Sequence, residues 1–98
     1  MPKFAARVDA NQPMIVAGLR AAGCIVAQAH AVGGGFPDLV VGCRGQTFLL
    51  EVKDGDKPPS ARKLTTAQVD WHEEWRGHVA VVCNLAEALD AVGIVHNL

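Results

Sequence analysis

The sequence predicts a small α/β domain, a mixed sheet flanked by helices in the order α-β-β-β-α-β-α. Three observations carry this. Short apolar runs alternate with segments whose apolar residues recur at helical spacing. The middle runs are apolar at consecutive positions, as strands covered on both faces are. The chain has 98 residues, half of them hydrophobic and 19% charged, which fits one folded domain over residues 1–98.

Each element has a local reason. "DANQP" offers Asp9 or Asn11 as an N-cap, with Pro13 in the first helical turn. A helix follows through "MIVAGLRAA", carries the stripe Ile15, Val16, Leu19 and Ala22, and stops at Gly23. "CIVAQAH" (24–30) reads as a strand and "VGGG" (32–35) as a flexible turn. "PDLVVGC" (37–43) and "QTFLLEVK" (46–53) read as two strands joined by Arg44-Gly45. The polar segment 54–63 contains two prolines and reads as a mobile loop. "TTAQVDWHEEWR" reads as a helix capped by Thr65 or Thr66, and "HVAVVC" (78–83) as a strand. "NLAEALDAVG" closes the chain as a helix capped by Asn84 and stopped by Gly93.

Composition narrows the function. A net charge of −1 gives the whole molecule no electrostatic signature of a nucleic-acid binder, so any such binding needs a local basic patch. Cys24, Cys43 and Cys83 lie far apart in apolar runs, without zinc-site spacing, and read as buried thiols in a reducing compartment. There is no long apolar stretch and no secretory signal pattern, so a soluble, cytoplasmic protein with no membrane contact is expected. A domain this short buries a limited fraction of its surface, which makes a homodimer a reasonable expectation.

The hairpin carries the chemistry. With Arg44-Gly45 as a two-residue loop, Cys43 faces Gln46 and Asp38 faces Glu51. Their Cβ atoms would then lie about 4.5–5.5 Å apart, an arrangement that is destabilising for two like charges. Such a pair calls for a shared cation or a shared proton. Lys53 projects from the same face, while Leu39, Val41, Phe48, Leu50 and Val52 point into the core. Oxygen ligands of this kind suit Mg²⁺ or Mn²⁺, and the lysine suits an attacking water or developing charge. That is the chemistry of phosphodiester hydrolysis. The bland alternative is a hairpin whose ends carry solvated charges, with Lys53 paired to Glu51 or Asp54.

"PD" at 37–38, twelve residues, and "EVK" at 51–53 resemble the signature of the PD-(D/E)XK, or restriction-endonuclease-like, superfamily. With the preceding helix and strand and the following "LTTAQVDW" helix, the chain is most similar to small stand-alone VRR-NUC nucleases of phages and bacteria. The resemblance spans roughly residues 9–92. It implies a restriction-endonuclease-like core and an Mg²⁺-dependent DNA endonuclease, with Asp38, Glu51 and the backbone carbonyl of Val52 as metal ligands. It makes Lys53 and the helix glutamine Gln68 catalytic alongside Asp38 and Glu51. It also implies a homodimer acting on branched DNA, such as four-way junctions. One departure stands out: the family carries a glutamate on the first helix, and Met14 occupies its expected place. The alternative function is a catalytically weak or inactive DNA-binding or scaffold module that keeps the fold.

Other residues have plainer readings beside functional ones. Gln68 lies three residues after Thr65 and also fits a T-x-x-Q capping box. Lys57, Arg62 and Lys63 crowd one loop, as phosphate-gripping residues or as a solvated loop. His30 reads as structural or exposed, near where the site opens; His72 and His78 carry no signal. Trp71 and Trp75 read as core or interface residues rather than base-stacking platforms. Gly33, Gly34 and Gly35 lack the context of a phosphate-binding loop.

Overall fold

A four-stranded sheet organises residues 8–98, the part of the chain that the computed structural model describes. The first seven residues of the expected domain lie outside the described residues. The elements are α1 (Gln12–Ala21), β1 (Ile25–Gln28), β2 (Leu39–Cys43), β3 (Gln46–Val52), a 3₁₀ turn (Pro59–Ala61), α2 (Thr66–Glu74), β4 (Val79–Val82) and α3 (Leu85–Ala91). The strands lie in the order β1-β2-β3-β4; the first three are antiparallel and β4 runs parallel to β3. This is the mixed sheet that the sequence predicts, with every expected element present; β1 and β4 are shorter than expected at both ends, β2 at its start and β3 at its end.

The β2–β3 register is the expected one: Cys43 pairs with Gln46 and Leu39 with Leu50. Arg44 and Gly45 have φ of 51° and 78°, the positive values a type I′ turn demands at both central positions. Arginine tolerates this because its guanidinium is anchored, with Nη2 donating to the Val92 carbonyl at 2.7 Å. The turn is thereby tied to the end of α3.

The register divides the sheet into two unlike faces. Val26, Leu39, Val41, Cys43, Phe48, Leu50, Val52 and Val82 are buried under α1 and α3, against Ile15, Val16, Leu19, Ala88, Leu89 and Val92. Each helix contributes its apolar stripe, and α3 is capped by Asn84, whose side chain accepts from the Glu87 amide at 2.8 Å. The opposite face carries Val40, Leu49, Glu51 and Val81, and α2 stands over its Glu51 end. No residue of α2 is buried; Gln68, Trp71 and His72 are half-buried and the rest of the helix is exposed.

Three details differ from the sequence reading. Asn11 is the residue before α1 but makes no side-chain cap; its Nδ2 instead donates to the Lys53 and Cys83 carbonyls, both at 3.0 Å. Cys24 and Cys43 are buried free thiols as expected, whereas Cys83 is half-buried. Trp75 is 41% exposed, so the core half of its expected role fails: α2 lacks the apolar stripe needed to bury it. No helix among the described residues is long and apolar enough to cross a membrane.

Gly35 positions α2 against the turn that precedes β2. Its φ is +86°, and a Cβ there would collide with the Ala67 carbonyl oxygen, at the start of α2. Gly34 shares the positive φ, at +66°, but faces open space. Gly34→Ala should therefore cost only the left-handed backbone term, about 1–2 kcal/mol. Gly35→Ala should cost clearly more, because backbone must shift as well. Thermal unfolding of the two variants checks this; equal losses would mean that the close approach is not maintained.

Candidate metal and nucleic-acid site

The turn at 33–35, the ends of β2 and β3, and the start of α2 enclose a cleft of about 360 Å³. Its walls include Asp9, His30, Phe36, Asp38, Glu51, Val52, Lys53, Thr65 and Gln68. The expected residues Asp38, Glu51, Val52, Lys53 and Gln68 thus meet in one place.

Asp38 and Glu51 hold this position because of the hairpin. Asp38 sits just before β2, where its Oδ2 accepts a hydrogen bond from the Val52 amide at 2.8 Å. In an extended strand a residue's N–H and C=O point to the same side, so the Val52 carbonyl also turns toward Asp38. Glu51 is 2% exposed. One of its oxygens, Oε2, accepts from Gln68 Nε2 at 3.1 Å; the other, Oε1, is buried without a partner. Burial pushes the Glu51 carboxyl up to about 9. The adjacent Asp38 carboxylate and, more weakly, Asp9 push the same way, and the Lys53 ammonium opposes them.

Gln68 joins the site to its helix. Thr65 caps α2 with a full capping box: its side chain accepts from the Gln68 amide, and Gln68 Oε1 accepts from the Thr65 amide at 2.9 Å. The same Oε1 accepts from Lys53 Nζ at 2.9 Å, while Nε2 holds Glu51. The capping role and the site role are therefore one arrangement. Lys53 pairs with Gln68 and not with Glu51 or Asp54, so the hairpin does not end in an ordinary solvated ion pair.

A cation fits this donor set. Two carboxylates, one with a free buried oxygen, and a carbonyl turned toward them are hard oxygen donors of the type Mg²⁺ and Mn²⁺ take. No cluster of three histidine, cysteine or acidic side chains arranged to hold a metal occurs among the described residues. The carbonyl and water would have to complete the shell.

The structure corrects the first helix. Met14 is 67% exposed and lines a different cleft, with Asn11, Asp54, Asp56 and Cys83. It does not face the carboxylates, because Ile15, Val16 and Leu19 fix the rotation of α1 and turn residue 14 outward. The polar residue on the inward stripe is Gln12, 1% exposed, whose Nε2 donates to Gln28 Oε1 at 3.2 Å. The acid that does line the cleft near α1 is Asp9.

Sequence reasoning understates two histidines. His30 lines the cleft, and its Nδ1 is buried without a partner. His72 lies near Lys53; burial holds its imidazole below the ordinary range, and the lysine's charge adds to that. Its Nε2 also lacks a partner. Their only sequence signals are a strand end beside a glycine turn and a position one turn after Gln68. Of the three loop cations, Lys57 approaches Asp9 at 3.9 Å, Arg62 is half-buried and Lys63 is exposed.

No family model and no curated protein matches the chain. A solved structure described as a "VRR_NUC domain" is similar to it, with a TM-score of 0.61 and 28% identity, covering 83% of this chain and 88% of that one. The chain has a VRR-NUC-type fold. In this VRR-NUC-type fold the conjunction that the motif "PD…EVK" predicts is present in space, with Asp38 bonded to the last residue of the strand that carries Glu51, just before Lys53.

The raised Glu51 carboxyl makes stability depend on pH. The folded chain keeps a proton between about 4.5 and 9 that the unfolded chain releases. This contribution is complete below the lower value and is lost as pH rises through the upper one. Metal-free protein should accordingly lose stability between about pH 6 and pH 8.5. Glu51→Gln, which mimics the protonated acid, should melt higher than the parent at the alkaline end, by at least several degrees, since about 1 kcal/mol shifts a domain of this size by ~4–8 °C. Melting curves of both proteins across that range check it; parallel curves would mean that Glu51 is ionised in the fold.

Proposed function

We propose that this chain is a metal-dependent DNA nuclease. The observation that supports it most is the buried Glu51, with one free oxygen, beside Asp38 and bridged through Gln68 to Lys53. A site built only for stability would not bury Glu51 beside the half-buried Asp38 carboxylate at the wall of an open cleft. The similar "VRR_NUC domain" supports the same class.

Asp38, Glu51 and the Val52 carbonyl would hold Mg²⁺ or Mn²⁺, which when bound supplies Lewis-acid activation of water and neutralises phosphate charge. Lys53, held by Gln68, points its ammonium into the cleft, where it steadies the attacking water and offsets charge developing on the phosphate. Gln68 is a positioning residue: it fixes Lys53 and Glu51 relative to each other. Glu51 is the one charged member of this group shielded from solvent, which strengthens its own interactions; Asp38 and Lys53 stay half-exposed at the cleft.

Branched DNA and a homodimer belong to the same proposal. Ile25, 79% exposed, and Val81, 40% exposed, lie on the sheet face that α1 and α3 leave open, and they support a second copy there. Two copies would present two sites to two strands. The segment bearing Lys57, Arg62 and Lys63 leads into α2 and the cleft, and supports phosphate contacts beside it. A second reading, a DNA-binding module that does not cut, is favoured by the absence of any acid in the first turn of α1.

Cleavage assays separate the two. Purified protein with Mg²⁺ or Mn²⁺ should cut branched DNA, and chelation should abolish cutting. Lys53→Ala and Asp38→Ala should each reduce the rate at least ~100-fold while leaving far-ultraviolet circular dichroism unchanged. Binding without metal-dependent cutting would establish the second reading. Replacing Lys57, Arg62 and Lys63 by alanine should weaken binding to all sequences alike. It should also flatten the salt dependence, by close to one unit of slope for each phosphate that is no longer neutralised. An unchanged slope, measured by fluorescence anisotropy, would return these residues to a solvated loop.

A further inference from the structure

We propose that Trp75, backed by Trp71 and Phe36, is a stacking platform for an unpaired nucleobase beside the candidate site. This rests on the nuclease reading and deepens it, by stating what the site does with the strand next to the phosphate.

The three aromatic rings form a ladder. Phe36 meets Trp71 edge-to-face, with centroids 5.3 Å apart and an interplanar angle of 73°. Trp71 stacks on Trp75 at 4.8 Å and 20°. Phe36 is anchored next to Pro37, just ahead of β2, so the ladder starts on the sheet and runs outward along α2. Its last rung, Trp75, is 41% exposed. Trp75 is also the first residue beyond the helix, and its backbone is already extended, with φ −68° and ψ 139°.

A shallow cleft of about 340 Å³ opens along this ladder, lined by Phe36, Trp71, Glu74 and Trp75. Small-ligand sites begin at about this size. Phe36 also lines the cleft that holds Asp38, Glu51 and Lys53. The two clefts share a wall, so a strand whose phosphate lies at Lys53 would have a neighbouring base within reach of the rings.

The occupant follows from the lining chemistry. A flat π surface with one carboxylate at its edge suits a flat ring with an amino group on its rim. Stacking uses the ring faces, which every base has, and Glu74 can accept from an exocyclic amine of adenine, cytosine or guanine. An apolar protein surface suits the cleft less well, because it would desolvate the Glu74 carboxylate without offering it a donor. A base inside a duplex cannot reach the platform, since both of its faces are already stacked. The platform therefore favours the unpaired nucleotides found at branch points, flaps and ends.

The test uses a short single-stranded deoxyoligonucleotide, and the same backbone with abasic positions throughout, each titrated without divalent ions so that nothing is cut. Wild type should bind the intact strand on the order of tenfold tighter than the abasic one, with quenching of tryptophan fluorescence. Trp75→Ala should remove that advantage and most of the quenching while leaving abasic affinity unchanged. Trp75→Phe should keep part of both. Should Trp75→Ala fail to fold, Trp75→Leu carries the same comparison. Equal affinity of wild type for the two strands would overturn the platform and leave the nuclease reading standing on phosphate contacts. Failure to bind either strand, together with no cleavage, would overturn the underlying reading and the platform with it. Self-association that Trp75→Ala abolishes would show that a second copy covers the rings, and would also overturn it.

Discussion

One side-chain amide holds the functional half of this fold together. Gln68 accepts from the Lys53 ammonium and from the Thr65 backbone, and donates to the Glu51 carboxyl. Helix α2 has no buried residue with which to grip the sheet. Its attachment depends on this amide, on the Phe36–Trp71 contact and on the close approach permitted by Gly35. Amphipathic helices ordinarily take their stability from an apolar face. Here the helix is instead oriented by polar groups that belong to the site, so site geometry and helix placement are set together.

The cost of this arrangement falls on Glu51. An acid that is 2% exposed, next to a second acid, is stable in the metal-free fold only by keeping its proton. The apolar half of the sheet offsets that cost. Ile15, Leu19, Leu39, Val41, Leu50, Val52, Val82 and Val92, nearly without exposure, pack α1 and α3 on the far face and form a rigid backing for the strand that carries Glu51. Cation binding would reverse the local preference, since a divalent charge favours the ionised acid. Proton and cation would thus compete for the same carboxylate, Glu51, beside half-buried Asp38.

Much of this is legible in the sequence, for reasons that differ by residue. Once Arg44-Gly45 is read as a two-residue turn, the register of β2 against β3 follows by counting, and with it the meeting of Asp38, Glu51 and Lys53. Thr65 and Gln68 announce a capping box by spacing alone. The first helix misleads where Met14 is placed by analogy of position. The stripe at 12, 15, 16 and 19 puts Gln12 inward and residue 14 outward. Trp75 misleads because i,i+4 spacing says which residues share a helix face, not whether anything covers that face. His30 is placed near the cleft by its strand end beside the glycine turn, but the role of Asp9 in lining the cleft depends on long-range approach of chain segments, which no local pattern encodes.

The nuclease reading requires that buried Glu51 and half-buried Asp38 form a cation site. Crystals soaked in Mn²⁺ and measured at a wavelength where manganese scatters anomalously test that most directly. The predicted result is a single strong peak bound by Asp38, Glu51 and the Val52 carbonyl, at the short distances of a hard divalent ion, about 2.0–2.6 Å. A peak elsewhere with this pair left bare, or no peak at all while Glu51 keeps its bond to Gln68, would contradict it.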